Sequence, residues 1–307
     1  MPENDAKCKT PKNKEHTMHK SLHSTIKHDI DLLCSDPQGR SVGRASNRAA
    51  AGYFLQKAGE YGFKPSSQEF DCLDWETAGA SLSIGNEVFT VYSSQFSLGC
   101  EVVGQLLAAS SVTELKNMDI SGKILYLHGE IATSPLMPKN FVFYNPDEHK
   151  EIIALLEAGN PLAIISATAK DPVLSGAVYP APMFEDGDFD IPSVYMTVEE
   201  GQRLLAHIGK TACLCSSARR IPAKALYVKA CQGSGKKGSI ILCAHLDTKI
   251  GTPGAIDNAT GTAILIALME LLQDYQSDFL IEIVPFNGED YYAASAEMLY
   301  LREKDQD

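Results

Sequence analysis

Basic charge is scarce in this chain. Its 307 residues carry 27 lysines and arginines against 39 aspartates and glutamates, a net charge of −12. So little positive surface argues against nucleic acid as a partner, because non-specific binding needs basic groups that displace counterions. Long apolar runs are missing too. None reaches the roughly 18 residues of a membrane span, and no N-terminal stretch has the apolar segment of a signal peptide. The expectation is a cytoplasmic protein with no membrane partner, its oligomeric state left open. Eight cysteines are scattered at 8, 34, 72, 100, 213, 215, 231 and 243, without the dense spacing of a disulfide scaffold or paired C-x-x-C knuckles, so they read as reduced thiols. Cys213 and Cys215 share one face of an expected strand and read as packed residues. No internal repeat is visible.

What is present is enough apolar sequence, 44%, for two compact domains. Residues 1–20 have almost nothing to bury and read as a mobile tail; His16, His19 and His23 have helical spacing, but a solvated lead-in explains them better than a metal. An amphipathic helix is expected from Leu22 to Leu33. A second, capped by Ser46 or Asn47, runs to Tyr61 with Gly62 at its C′ position. Short strands follow at 68–71 and in 80–91, the latter folded over Gly85-Asn86.

The texture changes near Gly99. Apolar strands at 101–107, 122–127, 162–166, 191–196 and 211–216 alternate with a helix over 147–158 and another opened by the capping box Thr197-Val-Glu-Glu200. The Pro- and Asp-rich segment between Pro172 and Pro192 reads as an exposed loop. A second change comes at Lys224, so the intervening α+β module reads as an insertion. The expected division is a tail (1–20), a first part of the main domain (21–98), the module (99–216) and a second part (217–307). In the second part, strands at 225–230 and 239–244 flank Gly233-Ser-Gly-Lys-Lys-Gly238. That loop lacks the first Gly and the final Ser/Thr of a phosphate-binding loop and precedes a strand, so a hairpin turn is the better reading. Thr260–Leu272 reads as a helix with Ile264, Leu265, Leu268, Leu271 and Leu272 on one side.

Chemistry concentrates between Ile240 and Asp290, in ILCAHLDT (241–248), GAIDNATGTA (254–263) and PFNGED (285–290). In each, an apolar segment is followed at once by imidazole or carboxylate groups, the layout of ligands on loops at the carboxyl ends of buried strands. A hydrolytic metal site needs imidazole, carboxylates and a further carboxylate beside the metal to take a proton. His245 closes a strand. Asp247 projects to the same side and could accept the second ring N–H. Asp257, entering a helix, is placed to bridge two metals. Of Glu289 and Asp290, one could act as base while the other ligates. Singly, a strand-end His is more often a core residue and a pre-helix Asp an N-cap; all of them in order at strand ends make accident a poor explanation.

AHLDT, GAIDNATG and a strand ending in NGED resemble metallopeptidase family 28, the two-zinc aminopeptidases and their carboxypeptidase relatives. GRSVGRASNRAAAGYFLQKAGEYGF is similar to that family's N-terminal helix pair, and the module resembles a protease-associated domain. The resemblance implies an α/β, mixed-sheet zinc exopeptidase domain of phosphorylase/hydrolase-like type with an inserted α+β protease-associated domain. It further implies two zinc ions, peptide substrates, His245 and Asp290 as ligands of one zinc each, Asp257 as the bridge, Glu289 as general base and Asp247 as orienter of His245. Many members have Glu where this chain has Asp290. The family also supplies a further carboxylate and a last His after the acidic pair, and no His follows Asp290 here. The expectation is therefore a C-terminally incomplete domain that is inactive alone. A non-catalytic peptidase-like binding protein and a single-zinc glutaminyl cyclase-like enzyme are the alternatives; intact Glu289 and His245 speak against the first, and the inserted module with intact His245 against the second.

Overall fold

The computed structural model describes residues 12–139, 141, 144–168, 179–185 and 187–290. In chain order, helices α1 (Lys12–Leu33) and α2 (Ala45–Glu60) precede strands β1 (Lys64–Glu76), β2 (Ala80–Ile84), β3 (Glu87–Phe89), β4 (Tyr92–Ser93) and β5 (Cys100–Ala109). Then come α3 (Val112–Lys116), β6 (Ile124–Leu127), α4 (Asp147–Gly159), β7 (Ala163–Ser166), β8 (Ser193–Tyr195), α5 (Val198–Leu205) and β9 (Thr211–Ser216). The chain continues through β10 (Arg219–Gln232), β11 (Ser239–His245), α6 (Thr260–Leu272) and β12 (Leu280–Phe286). The fold is mixed α/β, and its described residues divide into two compact units, one drawn from 12–41, 45–69 and 226–287, the other from 42–44, 70–225 and 288–290.

In the first unit, a four-stranded sheet has the order β1-β10-β12-β11. Strand β12 runs antiparallel to β10 and parallel to β11. Helices α1, α2 and α6 bury Leu33, Phe54, Leu265, Ile266 and Met269 together with Val228, Ile281 and Ile283 from the sheet. Helix α2 ends as the sequence predicts: Phe63 N–H bonds the Ala58 carbonyl at 2.9 Å and Gly62 N–H bonds Gly59 at 3.2 Å, the paired bonds of a Schellman cap.

Four expectations change here. Helix α1 begins at Lys12, inside the expected tail; residues 1–11 and the side chains of His16 and His19 lie outside the described residues. Ser46 and Asn47 fall within the first turn of α2 and bond elsewhere, Ser46 Oγ to the Gly39 carbonyl at 2.8 Å and Asn47 to the Arg40 carbonyl at 2.9 Å. The loop at 233–238 is not a hairpin, because β12 lies between β10 and β11. Ile264 and Leu271 are half exposed, and α6 turns Ala263, Leu265, Ile266 and Met269 inward instead. Among the described residues one stretch, Ala255–Leu272, is long and apolar enough to cross a membrane; its inward side is part of this core.

The second unit holds an eight-stranded sheet of order β3-β2-β9-β5-β6-β7-β8-β4. Strands β6 and β7 are buried at every position. Their alternate residues feed two apolar layers, Leu125, Leu127 and Ile164 in one and Ile124, Tyr126 and Ile165 in the other, which is why they read as continuous apolar runs. Residues 80–84 pair with 87–89 across Gly85-Asn86 as predicted, and they also pair with β9. Thr197 caps α5 by accepting from Glu200 N–H at 3.2 Å. Helix α4 runs one residue past the expected 158, and the left-handed position that ends it is taken by Asn160 (φ 46°).

Two further expectations are corrected. The described part of the 172–192 loop is not an exposed run, since Met183, Phe184, Phe189 and Ile191 are buried and the rings of Phe184 and Phe189 stack at 4.5 Å; the rest lies outside the described residues. Cys213 and Cys215 share a strand face, but it is the solvent face. Strand β9 alternates exposed and buried, with Ala212, Leu214 and Ser216 pointing in. The seven described cysteines are all free thiols.

Candidate metal centre

Parallel pairing of β11 with β12 sets His245 beside Phe286, so both strands end together and the chain segments that follow start from one rim. On the β11 side, His245 is followed by a loop to Gly254 and then a turn, Ala255–Ala259, in which Asp257 (φ −121°, ψ 89°) and Asn258 (φ −139°, ψ 46°) are not helical. The peptide between these two residues is cis. Asn258 Oδ1 accepts from Gly261 N–H at 2.9 Å in the first turn of α6. The capping role that sequence offers Asp257 is thus filled by its neighbour, and Asp257 faces His245.

The His245 ring is held at both nitrogens. Nε2 lies 2.7 Å from Asp257 Oδ1 and Nδ1 lies 3.2 Å from the Asp247 backbone carbonyl. The Asp247 carboxylate is slightly farther, 3.7 Å from Nδ1; it is fully buried, as is the Thr248 that follows it. Thr262 Oγ1 donates to the His245 carbonyl at 3.1 Å, tying the first turn of α6 to the strand end. The His245 side chain is 11% exposed and that of Asp257 78%, so the imidazole is fixed in a wall while the carboxylate projects into solvent.

On the β12 side, Asn287 is buried, Gly288 takes φ 107°, and Glu289 and Asp290 follow in a turn. Such a φ is unfavourable for side-chain-bearing residues, so glycine allows the chain to bend immediately after the strand. The result is a cluster in which one donor atom each from His245, Glu289 and Asp290 lies within 4.8 Å of the others. An imidazole nitrogen with several carboxylate oxygens is a donor set that suits zinc. Asp257 touches this cluster at His245 and is not one of its three members. Asp247 stands behind the ring and outside the donor cluster. Sequence reasoning took Asn47 only for a helix cap and gave no role to Arg40 or Asn287; all three are buried.

Residues 227–306 match peptidase family M28. This M28 segment contains β11, the Asp257 turn, α6, β12 and the acidic pair. No curated protein matches the chain in sequence. Solved structures show the same fold: an aminopeptidase from Aneurinibacillus sp. strain AM-1 superposes with a TM-score of 0.65 at 21% identity, over 87% of this chain and 63% of that one. A zinc aminopeptidase from Bacillus subtilis gives 0.64 at 19% identity, over 86% and 61%. A peptidase M28 precursor from Shewanella amazonensis SB2B gives 0.62 at 17% identity, over 91% and 71%. The chain therefore spans somewhat under two thirds of the length of the two aminopeptidases.

Proposed function

We propose that the M28 segment carries a zinc-dependent exopeptidase site, and that its reaction is removal of N-terminal residues from peptides. The observation that carries this reading is the convergence of His245, Glu289 and Asp290 within 4.8 Å at neighbouring strand ends, in a segment matching a peptidase family. The names of the structural neighbours favour the aminopeptidase form. We assign His245 and Asp290 as ligands of one zinc each and Asp257 as the bridge between two ions. Asp247, through its carbonyl and buried carboxylate, orients the His245 ring. Zinc, when bound, supplies Lewis acidity that makes water nucleophilic near neutral pH. Glu289, exposed and adjacent to the ligands, takes the proton from the attacking water and delivers it to the leaving amine. The inserted protease-associated module is proposed to lie in the second unit, with bounds wider than the expected 99–216 because β2 and β4 belong to its sheet.

With Asp257 shared, each ion has two protein donors among the described residues, against the three usual in catalytic zinc sites, so this set alone holds zinc loosely. The test is zinc titration of the purified chain against a competing chelator, with hydrolysis of aminoacyl-nitroanilides followed at saturating zinc. The expected result is weak uptake that is lost in His245→Ala and kept in Glu289→Gln, with any turnover that saturating zinc elicits lower in Glu289→Gln by about 10²–10⁴-fold. Zinc uptake indifferent to His245 would overturn the site. Full zinc occupancy without hydrolysis would replace the enzyme with a peptide-binding protein.

A further inference from the structure

The segment preceding and opening α2 is buried under the site and bonded to both of its arms. Arg40 is 1% exposed, and a buried guanidinium is tolerable only when its N–H groups are satisfied. Its Nε donates to the Leu246 carbonyl at 2.6 Å, Nη1 to Pro253 at 2.7 Å and to Leu33 at 3.2 Å, and Nη2 to Gly254 at 3.2 Å. Three of those four acceptors lie in the loop joining His245 to the Asp257 turn. The same loop is held by the Arg40 backbone, whose N–H donates to Thr248 Oγ1 at 2.8 Å, and by Gly251 N–H on the Gln38 carbonyl at 3.0 Å. Gly39, at φ 81°, is packed so closely that a Cβ would collide with the Thr252 carbonyl.

The other arm is reached through Asn47. Its Nδ2 donates to the Arg40 carbonyl at 2.9 Å and to Asn287 Oδ1 at 2.8 Å; Asn287 Nδ2 returns a bond to Asn47 Oδ1 at 2.9 Å and also donates to the Leu226 carbonyl at 3.0 Å. Both asparagines are completely buried. Asn287 stands two residues before Glu289. A continuous set of hydrogen bonds thus runs from the 246–254 loop through Arg40 and Asn47 to the residue from which the acidic pair departs.

We infer that Arg40, Asn47 and Asn287 are positioning residues forming one brace that fixes the loop after His245 relative to the end of β12, from which Glu289 and Asp290 depart. Each bond satisfies a buried group that would otherwise cost stability, but the topology of the set is what matters. The arms leave different strands and extend beyond the sheet's own hydrogen bonds, and donor atoms must be held to a fraction of an ångström. The inference rests on the zinc reading for its consequence, though not for its structure.

The test compares the unsubstituted chain with Asn47→Ala, Asn287→Ala, the double variant, and the milder Asn287→Asp and Arg40→Lys. Hydrogen exchange by mass spectrometry is measured over peptides covering 245–259 and 286–290, alongside zinc affinity by chelator competition. Either asparagine variant is expected to speed exchange in both stretches, with α6 and β12 unchanged, and to weaken zinc about tenfold or more, as loss of a ligand-supporting partner does. The double variant is expected to match the singles, because one pair is lost in each case. Asn287→Asp keeps the shape and an acceptor and is expected to fall between. Arg40→Lys is expected to loosen 246–254 most. Faster exchange confined to the substituted stretch, or spread evenly over the whole first unit, would overturn the brace, including when zinc still binds. Coupled loosening with no zinc uptake in any chain would uphold the brace and overturn the zinc reading.

Discussion

His245 Nε2 and Asp257 Oδ1 lie 2.7 Å apart, though one ends a strand and the other sits in a turn twelve positions on. Both are atoms the proposed site gives to zinc, so the contact and the ion compete for the same lone pairs.

Replacing Asp257 by Asn separates these roles. The amide can still meet the imidazole, but it is a far weaker zinc ligand than a carboxylate. Asp257→Asn is expected to weaken zinc binding by at least tenfold while shifting unfolding by no more than about 0.5 kcal/mol, as exposed positions do. Chelator competition and a thermal melt on one preparation measure both. A melting change larger than the binding change would show that Asp257 serves the turn instead of the metal.

A second expectation concerns Asp29, fully buried and bonded by Tyr53 OH at 2.5 Å, with Oδ2 lacking a partner among the described residues. Burial pushes its carboxyl above the usual range, against the pull of Tyr53, Lys57 and His28. A carboxyl raised in the folded state binds its proton more tightly there than when unfolded. Its contribution is therefore favourable in acid and is lost as pH rises through the folded value. Asp29→Asn, which keeps the acceptor for Tyr53, is expected to raise Tm at pH 7–8 by about 2–4 °C, the equivalent of roughly 1 kcal/mol. The gain should vanish below about pH 4. A gain constant across that range would mean the carboxyl does not titrate there.

The thiols should separate by burial. Cys213, Cys215 and Cys243 are exposed, Cys72 is buried, and the Cys100 thiol is pushed up, chiefly by desolvation. Since the thiolate is the reactive form, a brief maleimide pulse on the native chain is expected to label the first three and spare Cys72 and Cys100. Peptide mapping reads the result, and strong labelling of Cys72 would contradict its burial on the otherwise largely exposed β1.

A fourth expectation concerns where the second unit can be cut. Strand β2 pairs with β9 through Leu82 and Leu214, and β5 pairs with β9 through Val102 and Leu214. Deleting 99–216 would strip β2 of β9 and expose Leu82 and Ile84, both buried. Deletion of 70–225 with a short linker is expected to stay soluble and keep its helical circular dichroism, whereas deletion of 99–216 is expected to aggregate. Equal behaviour of the two would move the boundary back to 99.

Much of this was legible because it is local. The span of α6, the Schellman end at Gly62, the capping box at Thr197 and the whole of β9 follow from residues within a few positions of one another. The meeting of His245, Glu289 and Asp290 was legible because each follows an apolar strand. What sequence hid is non-local. Nothing in 225–244 announces that β12 will slip between β10 and β11. The alternation of β9 gives two faces without saying which faces solvent, and Cys213 and Cys215 were assigned to the wrong one. Asn47 looked like a helix cap because Asn before an apolar run is one on average. Its actual partner, Asn287, lies 240 positions away.

That separation has a consequence for how the chain is made. Arg40 and Asn47 leave the ribosome early, while their partners at 246 and 287 lie 206 and 240 positions downstream. At about 5–20 residues per second, the buried asparagine and guanidinium wait on the order of 10–50 s for the groups that satisfy them. Meanwhile the intervening strands of the second unit, whose contacts are nearer in sequence, are free to fold first. The order of synthesis makes this hydrogen-bonded set one of the last parts of the first unit that can be assembled, and slowing translation after codon 225 is the manipulation to which its assembly should be most sensitive.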